Sequence, residues 1–332
     1  MTKSVLLPFC MPFFANGQHN ASVGLAMFGH PTAYNAVLNQ CLSIGCCRRF
    51  LRGYTAADAY IPSAGLYDFD FIEKYSITGR FGVSFYKEGI KRMLDEGYYV
   101  YFYNFDDYYI PGKSWYGIRH MPHNGIVCGY DEHDNTFSIA SYNTDWIFSL
   151  YRAPQDSVIE AAEACFKNKE YSSITGYKIK PGVEVKLDVE AVLKRLKQYL
   201  AVTIDKISLD CNDGCEGIAT HDLLSMYVGK LKDGSISPDK MDWRALRPVW
   251  EHKRVMLDRI KAVEDVKGWN SELSDRYAPL VDYANRLRGM YAIYHKNRKV
   301  SLLDKISTGL ISLREKEYDI LQDFVKKMEA PL

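Results

Sequence analysis

Two side chains twenty positions apart carry the first chemical suggestion in this chain. His123 stands in HMPHNGIVCGYD and Asn143 ends TFSIASYN, and both segments have the apolar pattern of strands. The polar run Asp131, Glu132, His133, Asp134 and Asn135 between them suits the turn of an antiparallel hairpin, which would return the end of the second strand to the start of the first. An Asn carbonyl accepting from one imidazole nitrogen would aim the other at a nucleophile, which makes two parts of a Cys-His-Asn triad. The same positions also fit a His that ends a strand and an Asn that caps a turn. Asp145 is the reserve orienting group, because a register slip of two keeps the same face.

A metal is a weaker candidate. Cys211 and Cys215 stand four apart in CNDGC, but no second Cys or His pair follows at zinc-ligand spacing. The eight Cys, irregularly spaced and including adjacent Cys46 and Cys47, form no secreted disulfide framework, so reduced thiols are expected.

These residues need elements to hold them. Residues 98–105, 124–130 and 136–142 read as strands, in a first part rich in Tyr, Phe and Gly. Near residue 180 the periodicity changes. From Asp188 onward apolar positions recur at helical spacing: Val189, Val192, Leu193, Leu196 and Leu200, then Leu246, Val249 and Trp250, and later Leu302 to Leu321. Asp188 is placed to cap the first of these helices, and Ser301 with Asp304 has the S-x-x-D form of a capping box. The pattern predicts an α+β chain with a strand-rich part at 1–180 and a mostly helical part at 181–332.

Composition narrows the function. With 332 residues, 42 Lys plus Arg and 41 Asp plus Glu, the chain has formal charge +1 and no field to steer a polyanion, so nucleic acid is disfavoured as a partner. The longest apolar stretches near the start, Val5 to Met11 and Val23 to Phe28, are too short to span a bilayer, and the N-terminus does not read as a signal peptide. No membrane role and a cytoplasmic location are expected. Neither a Walker loop nor a G-x-G-x-x-G is present, which disfavours ATP-driven ligation.

The segment YYVYFYNFDDYYIPGKSWYGIRHMPHNGIVCGYDEHDNTFSIASYN resembles the BtrH N-terminal-like family of bacterial biosynthetic proteins. The resemblance lies in a Tyr-rich strand, a D-x-Y-I-P turn at Asp107, Tyr109, Ile110 and Pro111, then His120, His123 and the GYD hairpin. DWRALRPVWEHKRVMLDRI is similar to the family's helical part. The resemblance implies a papain-like cysteine-protease fold and transfer of acyl groups held as thioesters on carrier proteins, as in butirosin- and closthioamide-type biosynthesis.

It also implies a Cys at the start of the first long helix, where the helix dipole and a neighbouring His would favour the thiolate. The stretch GQHNASVGLAMFGHP stands there, and the family layout puts the nucleophile position at Ala21. Alanine cannot attack a thioester. Either a Cys has been replaced to trap a ligand, or a natural loss leaves a binding protein or degenerate enzyme. Among other thiols, Cys10 lies between Pro8 and Pro12, which denies it a helical start; Cys41 reads as a small buried thiol and Cys128 as core, while near Cys46 and Cys47 the side chains of Arg48 and Arg49 could activate only a neighbour that is also exposed. Gln18 would serve an oxyanion with the backbone N–H of position 21, or be a turn residue. His19 and His120 read as supporting or substrate-contacting groups, or as exposed loop histidines. Trp115, Tyr116 and Trp146 suit a groove for an aromatic acyl group, or plain core.

The expected reaction is amide formation in specialised, nonribosomal peptide-like metabolism. A Cys at position 21 in the active form accepts an acyl group from an acyl- or peptidyl-carrier protein, and a small-molecule amine takes it over, with His123 moving protons. Phosphopantetheine on the partner is the implied cofactor, and none is expected in the protein. Alternatives are a cysteine hydrolase and a catalytically dead binding protein.

Overall fold

A computed structural model describes residues 3–11, 14, 30–62, 69–77, 83–145, 147–167, 173–209 and 214–330. Along the chain these form β1 (Ser4–Leu6), α1 (Pro31–Gln40), β2 (Gly45–Cys47), β3 (Ile72–Ile77), α2 (Val83–Asp95), β4 (Tyr99–Asp106), β5 (Pro122–Asp131) and β6 (Thr136–Tyr142). Then come β7 (Phe148–Pro154), α3 (Gln155–Lys167), β8 (Ile174–Ile179), α4 (Val189–Ala201), β9 (Gly214–Glu216), α5 (Thr220–Lys232), α6 (Arg247–Lys267), α7 (Glu272–Asn297) and α8 (Ser301–Glu329). The chain is of mixed α/β content with an antiparallel sheet. No helix among the described residues is long and apolar enough to cross a membrane.

The chain divides into two units, Met1–Tyr34 with Ala64–Val185, and Asn35–Ser63 with Lys186–Leu332. The division places Asn35–Ser63 with the helical residues, whereas the sequence pattern groups them with the strands. The strand β2, only three residues long, has no periodicity from which its partner could be read.

In the first unit the strands run β3-β8-β4-β5-β6-β7, all antiparallel, with β1 added to the far end of β5. β4 is rich in aromatic residues and mostly buried, with Tyr103 exposed, Asn104 half-buried and Asp106 at its end. One face carries Val100, Phe102, Phe105, Val127, Phe137 and Ile139, packed against Tyr86, Ile90, Met93 and Leu94 of α2 and Val158, Ile159 and Ala162 of α3. The α2 spacing is that of a single apolar stripe on a helix. The hairpin expected from the polar run is present: β5 and β6 pair from Asp131↔Thr136, and Asp131 Oδ1 accepts the N–H of His133 at 2.9 Å. β3 and β8 lay outside the expected strands.

The second unit packs α4 to α8 with the short β2/β9 ribbon. Asp188 caps α4 as predicted, its carboxylate accepting from Ala191 N at 2.9 Å. The box expected at Ser301 does not form. Val300 occupies the N-cap without a side-chain bond, and Asp304 pairs instead with Lys232 at 2.5 Å. The side chain of Arg259 in α6 is wholly buried and donates to the carbonyls of Leu38 (2.6 Å) and Cys41 (2.7 Å), satisfying the open C-terminal end of α1. Glu317 of α8 is also inaccessible to water, and four other helices send a polar group to it.

Candidate active site

β4 ends where two aspartates adjoin, and each organises one histidine. Asp106 Oδ1 accepts the N–H of Tyr108 (3.1 Å) and of Met121 (2.9 Å), which fixes the turn after β4 against the chain entering β5. Its Oδ2 takes His120 Nδ1 at 2.7 Å. Asp107 N donates to Met121 O, and the β4/β5 register sets Phe105 opposite His123. This brings His123 Nδ1 to 2.6 Å from Asp107 Oδ2. Gly125 lets the sheet close here, because a Cβ at that position would stand 2.5 Å from the Phe105 ring.

Asp107 is 3% exposed, whereas the His123 side chain keeps 28% of its surface. A carboxylate is acceptor only, so Nδ1 carries the proton and Nε2 is left with its lone pair. Behind Asp107 lies Lys113, a buried ammonium 3.0 Å from Oδ1 in an ion pair off the hydrogen-bond axis. Lys113 aims its short bond, 2.7 Å, at Ser141 Oγ of β6 and sits 5.0 Å over the Phe105 ring. Burial lowers its proton affinity and Asp107 opposes that effect.

The arrangement corrects the sequence-based partner of His123. Asn143 does not orient it. Extended from the Ile126↔Ala140 pair, the hairpin register would set His123 opposite Asn143, but β6 ends at Tyr142. Asn143 Oδ1 instead accepts the N–H of Asp145 (2.9 Å) and Ile147 (3.0 Å), closing the turn into β7. Asp145 is exposed in that turn and is not the reserve either, since Asp107 occupies Nδ1. His120 is 62% exposed and stacks on Tyr108 at 4.4 Å between centroids. Trp115 is half-buried beneath Arg119, and Tyr116 is exposed. Ser114 ties their loop to the Asn143 turn through the carbonyls of Asn143 and Thr144.

Ala21, Gln18, His19, Trp146 and Cys211 lie outside the described residues. Among the other thiols, burial pushes Cys41 and Cys128 up to about 12 and raises Cys46, Cys47 and Cys215, which keeps them protonated at neutral pH. Cys10 is partly exposed. Among the described residues no group of three or more His, Cys, Asp or Glu is placed to hold a metal.

Sequence reasoning missed the roles of Asp107 and Lys113, having quoted the first only as a turn residue. Chemically, Asp107 and His123 leave a basic imidazole nitrogen, held by a buried acid, near the start of the interior strand β5. No family model and no curated protein matches this chain.

Proposed function

We propose that the first unit has the papain-like architecture of the BtrH N-terminal-like family and is built for acyl transfer from a carrier-protein thioester to an amine. The observation that carries the reading is the 2.6 Å His123–Asp107 bond, with the acid buried and the imidazole still accessible. Orientation of Nδ1 by a buried carboxylate is what a general base needs when its other nitrogen must face a nucleophile. The nucleophile's place is position 21, occupied by Ala in this chain.

With a thiol there, His123 takes the thiol proton, and the thiolate attacks the thioester carbonyl. The carrier's phosphopantetheine thiolate leaves and receives that proton. The amine then attacks the acyl-enzyme and the Cys sulfur leaves as the amide forms. The amine's surplus proton passes through His123 back to sulfur. Trp115 and Tyr116 offer an aromatic wall for the acyl group. A cytoplasmic, reducing setting, in which a Cys at position 21 would stay a thiol, is part of this reading.

The test is Ala21→Cys incubated with an acyl-pantetheine thioester and analysed by intact mass. The expected result is a single acyl adduct, absent in Ala21→Cys/His123→Ala and discharged by an amine. No adduct with His123 intact would overturn the transferase reading. The alanine at position 21 itself favours a second reading, a binding protein that retains the groove. Thioester binding to the unaltered chain without any adduct from Ala21→Cys would support that one.

A further inference from the structure

A carboxylate beside an imidazole orients it and also stabilises its protonated form, and an imidazolium cannot act as a base. The groups acting on Asp107 come from several elements: Lys113 from the loop after β4, His123 from β5 and Tyr151 from β7, with Ser141 of β6 bonded to Lys113 and the neighbouring Asp106 carboxylate turned to His120. Burial, with Asp107 adding to it, raises Tyr151, so both hydroxyl groups stay neutral. Lys113 is the cation of the set, its proton affinity lowered by burial and supported by Asp107. It is 2% exposed and Asp107 is 3% exposed, so their charges act on each other with little screening.

The charge count then depends on one proton. With Lys113 and Asp107 ionised, the cluster is neutral only while the His123 ring is neutral. A proton on Nε2 would leave a net positive charge around a carboxylate already matched. Ser141 Oγ and the Phe105 ring hold the ammonium in place by a hydrogen bond and a cation–π contact. We propose that Lys113 is a positioning residue whose buried ammonium balances Asp107 and so keeps His123 in its neutral, Nε2-basic form. The importance of that form rests on His123 being the base of the proposed reaction, but the charge balance is measurable without turnover.

The experiment uses the full chain with ¹⁵N-labelled histidine, reading the His123 ring nitrogens by two-bond correlation at pH 7, assigned by difference with His123→Gln. Lys113→Met is expected to raise the ratio of imidazolium to neutral ring at His123 by about tenfold or more. Asp107→Asn is expected to lower it. The double variant Lys113→Met/Asp107→Asn should return close to the unaltered chain, and Lys113→Arg should restore it. A purely structural role would not move the two single variants in opposite directions. An unchanged ratio in Lys113→Met, or a shift in the same direction as Asp107→Asn, overturns the proposal. If Lys113→Met does not fold, the double variant decides, since it removes both buried charges together: its ratio must exceed that of Asp107→Asn, and equality overturns the proposal. Failure of Ala21→Cys to form an adduct would remove the reaction but leave these ratios as they are, so the two readings fail separately.

Discussion

Asp107 has two carboxylate oxygens, and each serves a different nitrogen: His123 on one side and Lys113 on the other. Asn143, two residues beyond the Ser141 hydroxyl that steadies Lys113, has a different task, and the two roles can be separated experimentally. Asn143→Ala removes the acceptor for two backbone N–H groups in the β6–β7 turn and should cost about 1 kcal/mol in urea denaturation. In the Ala21→Cys background it should leave the rate of adduct formation within about twofold, since a shift below about 0.4 kcal/mol in the barrier is within that range. A hundredfold loss of that rate would return Asn143 to the orienting role. The His was legible from its place at the start of a strand. The acid was not, because a hairpin points to partners further along the chain, and Asp107 lies sixteen positions upstream, just past the end of the Tyr-rich strand that pairs on the other side of β5.

At the scale of elements, the helical unit is organised around one carboxylate. Glu317 Oε2 accepts from Lys253 (2.6 Å) and Tyr199 (2.9 Å), and Oε1 accepts from Tyr277 (2.6 Å). His221 Nδ1 donates to Ile218 O, which leaves Nε2 as a lone pair 3.6 Å from Glu317 Oε2. His252 Nε2 donates to Leu42 O at 2.7 Å. Burial, reinforced by Lys253, brings His221 down to about 4 and His252 well below its usual value. Burial opposes ionisation of Glu317, but Lys253, then His221 and His252, hold it down to about 2. Each group therefore binds its proton more readily in the unfolded chain. The stability they contribute is present above pH 6.5 for the histidines and above 4.5 for Glu317, and it is lost as pH falls, toward 4 for His221 and toward 2 for Glu317, with His252 acting in the same direction as His221. Between pH 7 and 5 His221 should cost about 2 kcal/mol, measured as a falling urea midpoint. His221→Asn, which keeps a donor for Ile218 O, should flatten that fall by removing this contribution. A midpoint independent of pH over this range would contradict the neutral assignment. None of this was readable from periodicity, which marks apolar positions and passes over a polar residue on the buried face.

For the whole molecule, the informative feature is that the second unit is discontinuous in sequence. Three of its helices, α4, α6 and α8, were legible from the helical spacing of their apolar residues, and α4 also from its capping Asp188, whereas α5 and α7 were not read individually. Residues 35–63 were not legible as part of it, because what joins them to the helical part is a set of buried side chains meeting backbone carbonyls far away in sequence. Arg259 donates to Leu38 and Cys41, His252 to Leu42, and Thr220 Oγ1 to Ile44 O at 2.9 Å, while β2 supplies the partner of β9. Without residues 35–63 all three donors lose their acceptors, and each hydrogen bond left unmade in the remaining core would cost about 1–3 kcal/mol. Together that is a large part of the stability of an ordinary domain. A fragment of residues 186–332 is therefore expected to be partly helical by circular dichroism but to melt without a cooperative transition. Joining residues 35–63 to its N-terminus through a flexible linker should restore a sigmoidal urea curve. A cooperative transition in the shorter fragment would mean that the helices close their own core and that the early segment is merely carried along.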